Sequence, residues 1–174
     1  MKNFSYFRNK KLIYDLLICM FVTSTFYGCY SFTGATRAKH LNTLKIEPVV
    51  DMSGYGSPKV KDNMIIYLID KFRNDNTYNI VDKDGDASLK VQINSIRDET
   101  MVVNPGELEK ERKISVNVEA EFYDNVMKKS IWKKSFNNFS VYDVQKALTN
   151  REEALMDALN RTSEDILIAV VSGW

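Results

Sequence analysis

Residues 113–122, "KISVNVEAEF", alternate without a break. Ile114, Val116, Val118, Ala120 and Phe122 fall on one side, and Lys113, Ser115, Asn117, Glu119 and Glu121 on the other. A helix would scatter those five apolar residues around its circumference. A strand gathers them on one face, because its side-chain period is two. The chain must therefore build a sheet with one apolar and one polar face, and another part of it must cover the first. Two segments offer that cover. From Pro58 to about Asn74, the residues Val60, Met64, Ile65, Leu68, Ile69 and Phe72 repeat at helical spacing. From about Thr149 onward, Leu155, Leu159, Thr162, Ile166, Ala169 and Val170 do the same. Ser57-Pro58 starts the first helix, "NDNT" ends it, and Thr149 with Glu152 forms a capping box for the second.

The remaining segments complete a sheet. "LKIEPVV" reads as a strand with Pro48 at its end or on an edge, "DMSGYGSP" as a loop and "YNIVD" as a short strand. Leu89, Val91 and Ile93 alternate with Lys90, Gln92 and Asn94, until Ile96 breaks the parity and marks a bulge. "NPGELE" and "DNVMKK" are turns, and "SIWKKSFNNFSVY" is the last strand. The order β-α-β-β-β-β-α predicts an α+β two-layer sandwich. Two amphipathic helices pack on one face of a mostly antiparallel sheet of four to five strands.

The N-terminus does not belong to this fold. Residues 1–11 carry four basic residues and no acidic one, and an apolar run from Leu12 to Phe26 follows. Its most hydrophobic part, Leu16 to Val22, is far short of the roughly 20 residues of a membrane-spanning helix. A basic start, a short apolar centre and a small residue at the end are the marks of a secretory signal peptide. Here the small residue is Gly28, directly before Cys29, and the junction resembles the bacterial lipobox. Phe26 and Tyr27 stand where the usual pattern has Leu and then Ala or Ser. Cleavage before Cys29 with acylation of its thiol and new amino group would hold the chain on a bilayer, at about 0.8 kcal/mol per buried CH₂. The plainer alternatives are an ordinary signal peptide with Cys29 as a free thiol, or an uncleaved anchor. The expected organisation is a leader at 1–28, a lipidated tether at 29–43 and a folded domain at 44–174.

Charge and chemistry narrow the function by exclusion. The chain has 24 Lys and Arg against 23 Asp and Glu, without the basic excess of a nucleic-acid binder. Loss of residues 1–28 leaves 20 basic and 22 acidic residues and removes Cys19, so no internal disulfide is possible. The hydrophobic fraction of 44% is that of a packed domain rather than a disordered chain. "DKDGD" at 82–86 begins like a calcium loop, but the twelfth position is Ile93 in place of the bidentate Glu. It reads better as a hairpin turn. His40, the sole histidine, lies in the tether without an orienting acid. Glu119 and Glu121 stand about 7 Å apart on one strand face, an ordinary charge pattern for a wet surface. No nucleophile elbow, phosphate loop or HExxH occurs, so no enzyme activity, cofactor or metal is expected. The segment "RDETMVVNPGELEKERK" sets Met101, Val102 and Val103 beside Arg97, Lys110, Arg112 and Lys113. Apolar and basic groups together suit an amphiphile with anionic head groups, or a partner's wall.

Several stretches resemble, in order, the lipopolysaccharide-assembly lipoprotein family LptE in its Bacteroidota-type form. They are "GCYSFTGA", "NTLKIEPVVDMSGYG", "LIDKF", "SIRDE", "IWKKSF" and "VVSGW". The resemblance implies a non-enzymatic outer-membrane lipoprotein on the periplasmic face. Such a protein plugs and assists the assembly of the β-barrel LptD and contacts lipopolysaccharide. Of the family's functional residues, the lipidated cysteine maps onto Cys29, which would carry an N-acyl group such as palmitate and an S-diacylglyceryl group. Tyr30 and Ser31 are not the acidic run of a surface-export signal. The alternative is a free-standing periplasm-facing lipoprotein that binds lipid or glycan without a barrel.

Overall fold

The computed structural model describes residues 38–101 and 110–172. The expected leader, Cys29 and most of the tether lie outside them. The described chain forms six strands and two long helices. They run β1 (Thr43–Ile46), β2 (Val50–Asp51), α1 (Pro58–Asp75), β3 (Asn79–Ile80), β4 (Ala87–Thr100), β5 (Glu111–Asp124), β6 (Lys129–Asp143), a 3₁₀ turn (Val144–Lys146) and α2 (Ala147–Val171).

The architecture is the expected α+β sandwich, with more parallel pairing at one edge than the pattern implies. The sheet order is β3-β1-β4-β5-β6, with β2 also paired to β4. The antiparallel part dominates: β4 and β5 align from Ala87↔Asp124 to Thr100↔Arg112, and β5 and β6 from Glu111↔Asp143 to Asp124↔Lys129. The parallel pairings of β1 with β3 and β4, and of β2 with β4, span two or three residues each. They follow from α1, which carries the chain back so that β3 re-enters the sheet in the direction of β1. Pro48 splits the first strand into β1 and β2, since it has no N–H to give to the ladder.

The apolar face of β5 is fully covered. Ile114, Val116, Val118, Ala120 and Phe122 are all buried, as are Leu89, Val91 and Ile93 of β4. Val60, Met64, Leu68 and Phe72 come down from α1, and Leu155, Leu159, Thr162, Ile166, Ala169 and Val170 from α2. Each large apolar side chain so buried contributes about 1.5–3 kcal/mol. The helices lie parallel. Lys59 and Lys71 of α1 pair with Glu152 and Glu164 of α2, and twelve residues separate the two members on each helix. Asn76 ends α1 in the left-handed conformation (φ 59°), with its N–H bonded to Phe72 O.

Three expectations are corrected. The Thr149–Glu152 capping box does not form: α2 begins at Ala147, continuous with the 3₁₀ turn, whose first N–H groups are capped by Asp143 through Gln145 N at 2.7 Å. Glu152 reaches Lys59 instead, at 2.8 Å. "KDGD" is not a hairpin, because the strands it joins flank β1 and both run parallel to it. Its loop crosses the face of β1 that carries Lys45. His40 is not idle in a tether. The folded unit already includes Leu41, which is buried, and His40 Nε2 lies 2.6 Å from Asp124 Oδ2.

Glycine is required where that loop crosses β1. A Cβ on Gly85 would lie 2.8 Å from both Lys45 N and Ala87 O, backbone atoms of two paired strands. Gly85→Ala is expected to destabilise the domain by about 2 kcal/mol, read as a lower urea midpoint at unchanged slope. A midpoint equal to wild type would refute the close crossing.

Candidate functional site

The two faces of the sheet carry different chemistry, and one inserted residue decides which groups reach which face. Register slips between Ile93 and Ser95, where Ile93 faces Val118 and Ser95 faces Asn117, so Asn94 is the extra residue of a β-bulge. Past the bulge, Ile96 opposes Val116 and Asp98 opposes Ile114, both on the helix-covered face. Arg97 opposes Ser115 on the uncovered face. Uninterrupted alternation would have put Arg97 inside and Asp98 in water.

On the inner side, Asp98 binds two strands and a helix together. Its carboxylate accepts from Arg112 Nε at 2.8 Å, Arg151 Nε at 2.7 Å and the Tyr142 hydroxyl at 2.8–2.9 Å. Arg151 also stacks over the Tyr55 ring, its guanidinium carbon 5.1 Å from the centroid. Burial alone would raise the Asp98 carboxyl. Hydrogen bonds from Arg112, Tyr142 and Arg151, with the charge of Arg112, outweigh it and hold the group below the usual carboxylate range. At the opposite end of the strands, burial likewise opposes ionisation of Asp124. There the Met127 N–H, His40 and the Val126 N–H prevail and lower it.

On the outer side a ladder of amides runs across the strands. Gln92 Nε2 donates to Asn94 Oδ1 at 2.8 Å, Asn94 Nδ2 to Asn117 Oδ1 at 3.1 Å, and Asn117 Nδ2 to Asn137 Oδ1 at 2.6 Å and Ser135 Oγ at 3.3 Å. Toward the base of the β4–β5 hairpin the ladder gives way to an open groove of about 440 Å³, where Arg97, Lys113, Asn137 and Phe139 converge. Lys113 Nζ sits 5.6 Å above the Phe139 ring and 3.4 Å from Glu99. Phe139 is 55% exposed. Arg97 makes no ion pair with a described residue. Along the same face, Glu119 pairs with Lys133 at 2.8 Å and Glu121 with Lys90 at 3.9 Å, so the two acids are held apart by cations.

The structure divides the basic and apolar residues that the sequence groups together. Arg97 and Lys113 share the groove. Arg112 is turned to the inner face and engaged by Asp98. Lys110 and Met101 are exposed near the end of the hairpin, and Val102, Val103 and Cys29 lie outside the described residues. Sequence reasoning missed the amide ladder, Phe139 and the Asp98 cluster. The Asn residues and Phe139 sit at outward positions of recognisable strands, but only the cross-strand register brings them together. Among the described residues no group of three or more His, Cys, Asp or Glu could hold a metal ion, and no helix is long and apolar enough to cross a membrane.

A rigid sandwich with one wet, hydrogen-bonding sheet face is the form of a binding or docking domain. The family profile described as "LptE: Lipopolysaccharide-assembly" matches residues 41–170. The chain belongs to this lipopolysaccharide-assembly family. Its fold is similar to three solved structures. The hypothetical protein CT253 from Chlamydia trachomatis has a TM-score of 0.58 at 9% identity, covering 77% of this chain and 97% of that one. A minor lipoprotein from Acinetobacter baumannii has 0.54 at 11%, covering 76% and 94%. Protein XCC0632 from Xanthomonas campestris has 0.54 at 9%, covering 79% and 90%. At such identities the likeness is one of fold. No curated protein matches the sequence.

Two outcomes follow from the carboxylates. The folded-state values of Asp98 and Asp124 are lowered, so their contribution is complete above the unfolded value of about 3.9 and is lost as pH falls through the folded values. Stability measured by urea titration should stay level above about pH 5 and drop below pH 4. Asp98→Asn should cost about 2 kcal/mol at pH 7, less than for a fully buried pair because Arg151 is partly solvated, and should shrink the acid-side drop. An unchanged acid limb in that variant would remove Asp98 from the account.

Proposed function

We propose that this chain is an outer-membrane lipoprotein, acylated on Cys29 after removal of residues 1–28, that faces the periplasm. Residues 29–37 tether a domain that seats in an LptD-type β-barrel and meets lipopolysaccharide in transit. The observation that carries the reading is the uncovered sheet face. It is mostly polar, its amides and ion pairs satisfy one another, Phe139 and Val141 stand exposed on it, and Arg97 has no ion-pair partner among the described residues. A water-filled barrel lumen calls for a polar, hydrogen-bonding plug of this kind. The groove's chemistry suits the other partner. Arg97 and Lys113 can form charge-assisted hydrogen bonds to phosphate or carboxylate, while Phe139 gives a sugar ring or acyl chain an apolar surface.

The test is purification of the acylated protein from its own membranes in mild detergent, with mass spectrometry of the N-terminus and of whatever co-purifies. A large β-barrel subunit is expected. Acylated protein recovered with no barrel would leave the second reading, a free-standing lipid- or glycan-binding lipoprotein, which the open groove also favours. Arg97→Ala combined with Lys113→Ala should weaken lipopolysaccharide binding about tenfold, the loss of one good charge-assisted contact. Neither side chain touches the core, so the unfolding midpoint should move by less than about 0.5 kcal/mol. Equal binding by the variant, measured by titration at fixed salt, would remove the groove from the reading.

A further inference from the structure

We infer that the β5–β6 turn, Asn125–Lys128, is a membrane-contact element that dips into the bilayer interface. The inference rests on the proposed acylation of Cys29. Turn tips are ordinarily built from Gly, Asn, Asp and Ser. This one exposes Val126 and Met127 at 57% and 55%, and the second β-bulge, between Phe122 and Tyr123, leaves Ile131 next to it 41% exposed. All three apolar side chains present much of their surface to solvent.

The turn is nonetheless held in place. Asp124 Oδ1 accepts the Met127 N–H at 2.7 Å, Asn125 N donates to Asp86 O at 2.9 Å, and Asn125 Nδ2 donates to Gly85 O at 2.8 Å. Its apolar tip is thus presented at little cost in conformational freedom on insertion.

Position and charge name the occupant. β1 and β4 start, and β5 ends, at this end of the sheet, so the chain enters the domain there. His40 is tied to the turn's own Asp124. Nine residues separate Cys29 from Ala38, a span of at most about 30 Å. Lys128 and Lys129 in and after the turn, and Lys39 at the chain's entry, are exposed and make no ion pair with a described residue. The exposed acids of this end include Asp75 at the end of α1 and Asp82 and Asp84 in the crossover loop, none of them in the turn. Apolar side chains flanked by lysines match an acyl boundary under anionic head groups. The polar wall of a barrel lumen offers Val126 and Met127 no apolar partner.

The experiment uses the acylated full-length product in vesicles of phosphatidylethanolamine with a minor fraction of phosphatidylglycerol. The sulfur of Cys29 is then a thioether, so an introduced cysteine is the one free thiol for a fluorophore. A label at Ser130→Cys should be quenched by iodide about threefold less than one at Glu99→Cys at the far end of the sheet, and should be reached by lipid-borne quenchers. Val126→Asp with Met127→Asp should abolish that difference without changing the unfolding midpoint. Equal iodide quenching at both positions, on protein whose intact mass shows acylated Cys29, overturns this inference and leaves the anchor standing. Shielding that appears only when the barrel partner is added overturns it too and assigns the turn to the barrel. An unmodified Cys29 overturns the anchor and the inference together.

Discussion

The two-residue period of β5 is the constraint on which the rest of the molecule depends. β5 lies between the two longest strands and pairs along nearly its whole length with both. A slip of one residue against either neighbour would drive Lys113, Asn117 and Glu119 into the core and put Ile114, Val116 and Val118 in water. The apolar face needs two helices to cover it, and α1 and α2 lie parallel on it with ion pairs between them in step along their length. The short parallel strands β1, β2 and β3 follow as the edge where the chain enters and where α1 returns it to the sheet.

Within that frame the Asn94 bulge separates structure from function. It turns Asp98 inward, where Arg112, Arg151 and Tyr142 close the end of the sandwich, and it turns Arg97 outward, where no carboxylate of the described residues pairs with it. The two adjacent residues thus serve opposite ends. The carboxylate's partners hold the helix layer on the sheet, and the guanidinium faces the groove beside Phe139.

The molecule also has two unlike ends. One carries the β4–β5 hairpin, the groove and the start of α2. The other carries the chain's entry, the His40–Asp124 pair and the β5–β6 turn with its apolar tip. The groove and the apolar turn therefore lie at opposite ends of the sheet.

The sequence by itself determined the type of nearly every element, the two faces of β5 and of the first half of β4, and the presence of a bulge. These depend on local periodicity, and periodicity is written in consecutive residues: Ile96 out of step after Ile93 is legible without coordinates. It also showed which residues were basic and apolar near the hairpin. Only the tertiary structure decided that Arg112 turns away from Arg97 and Lys113, that Asn94, Asn117 and Asn137 form one ladder, and that "KDGD" crosses β1 instead of making a hairpin. It likewise decided that His40 meets Asp124, 84 residues further along the chain. Each of these depends on which strand lies beside which, and in what register. That choice is made by the packing of the whole apolar face against two helices, and no short stretch of residues carries it.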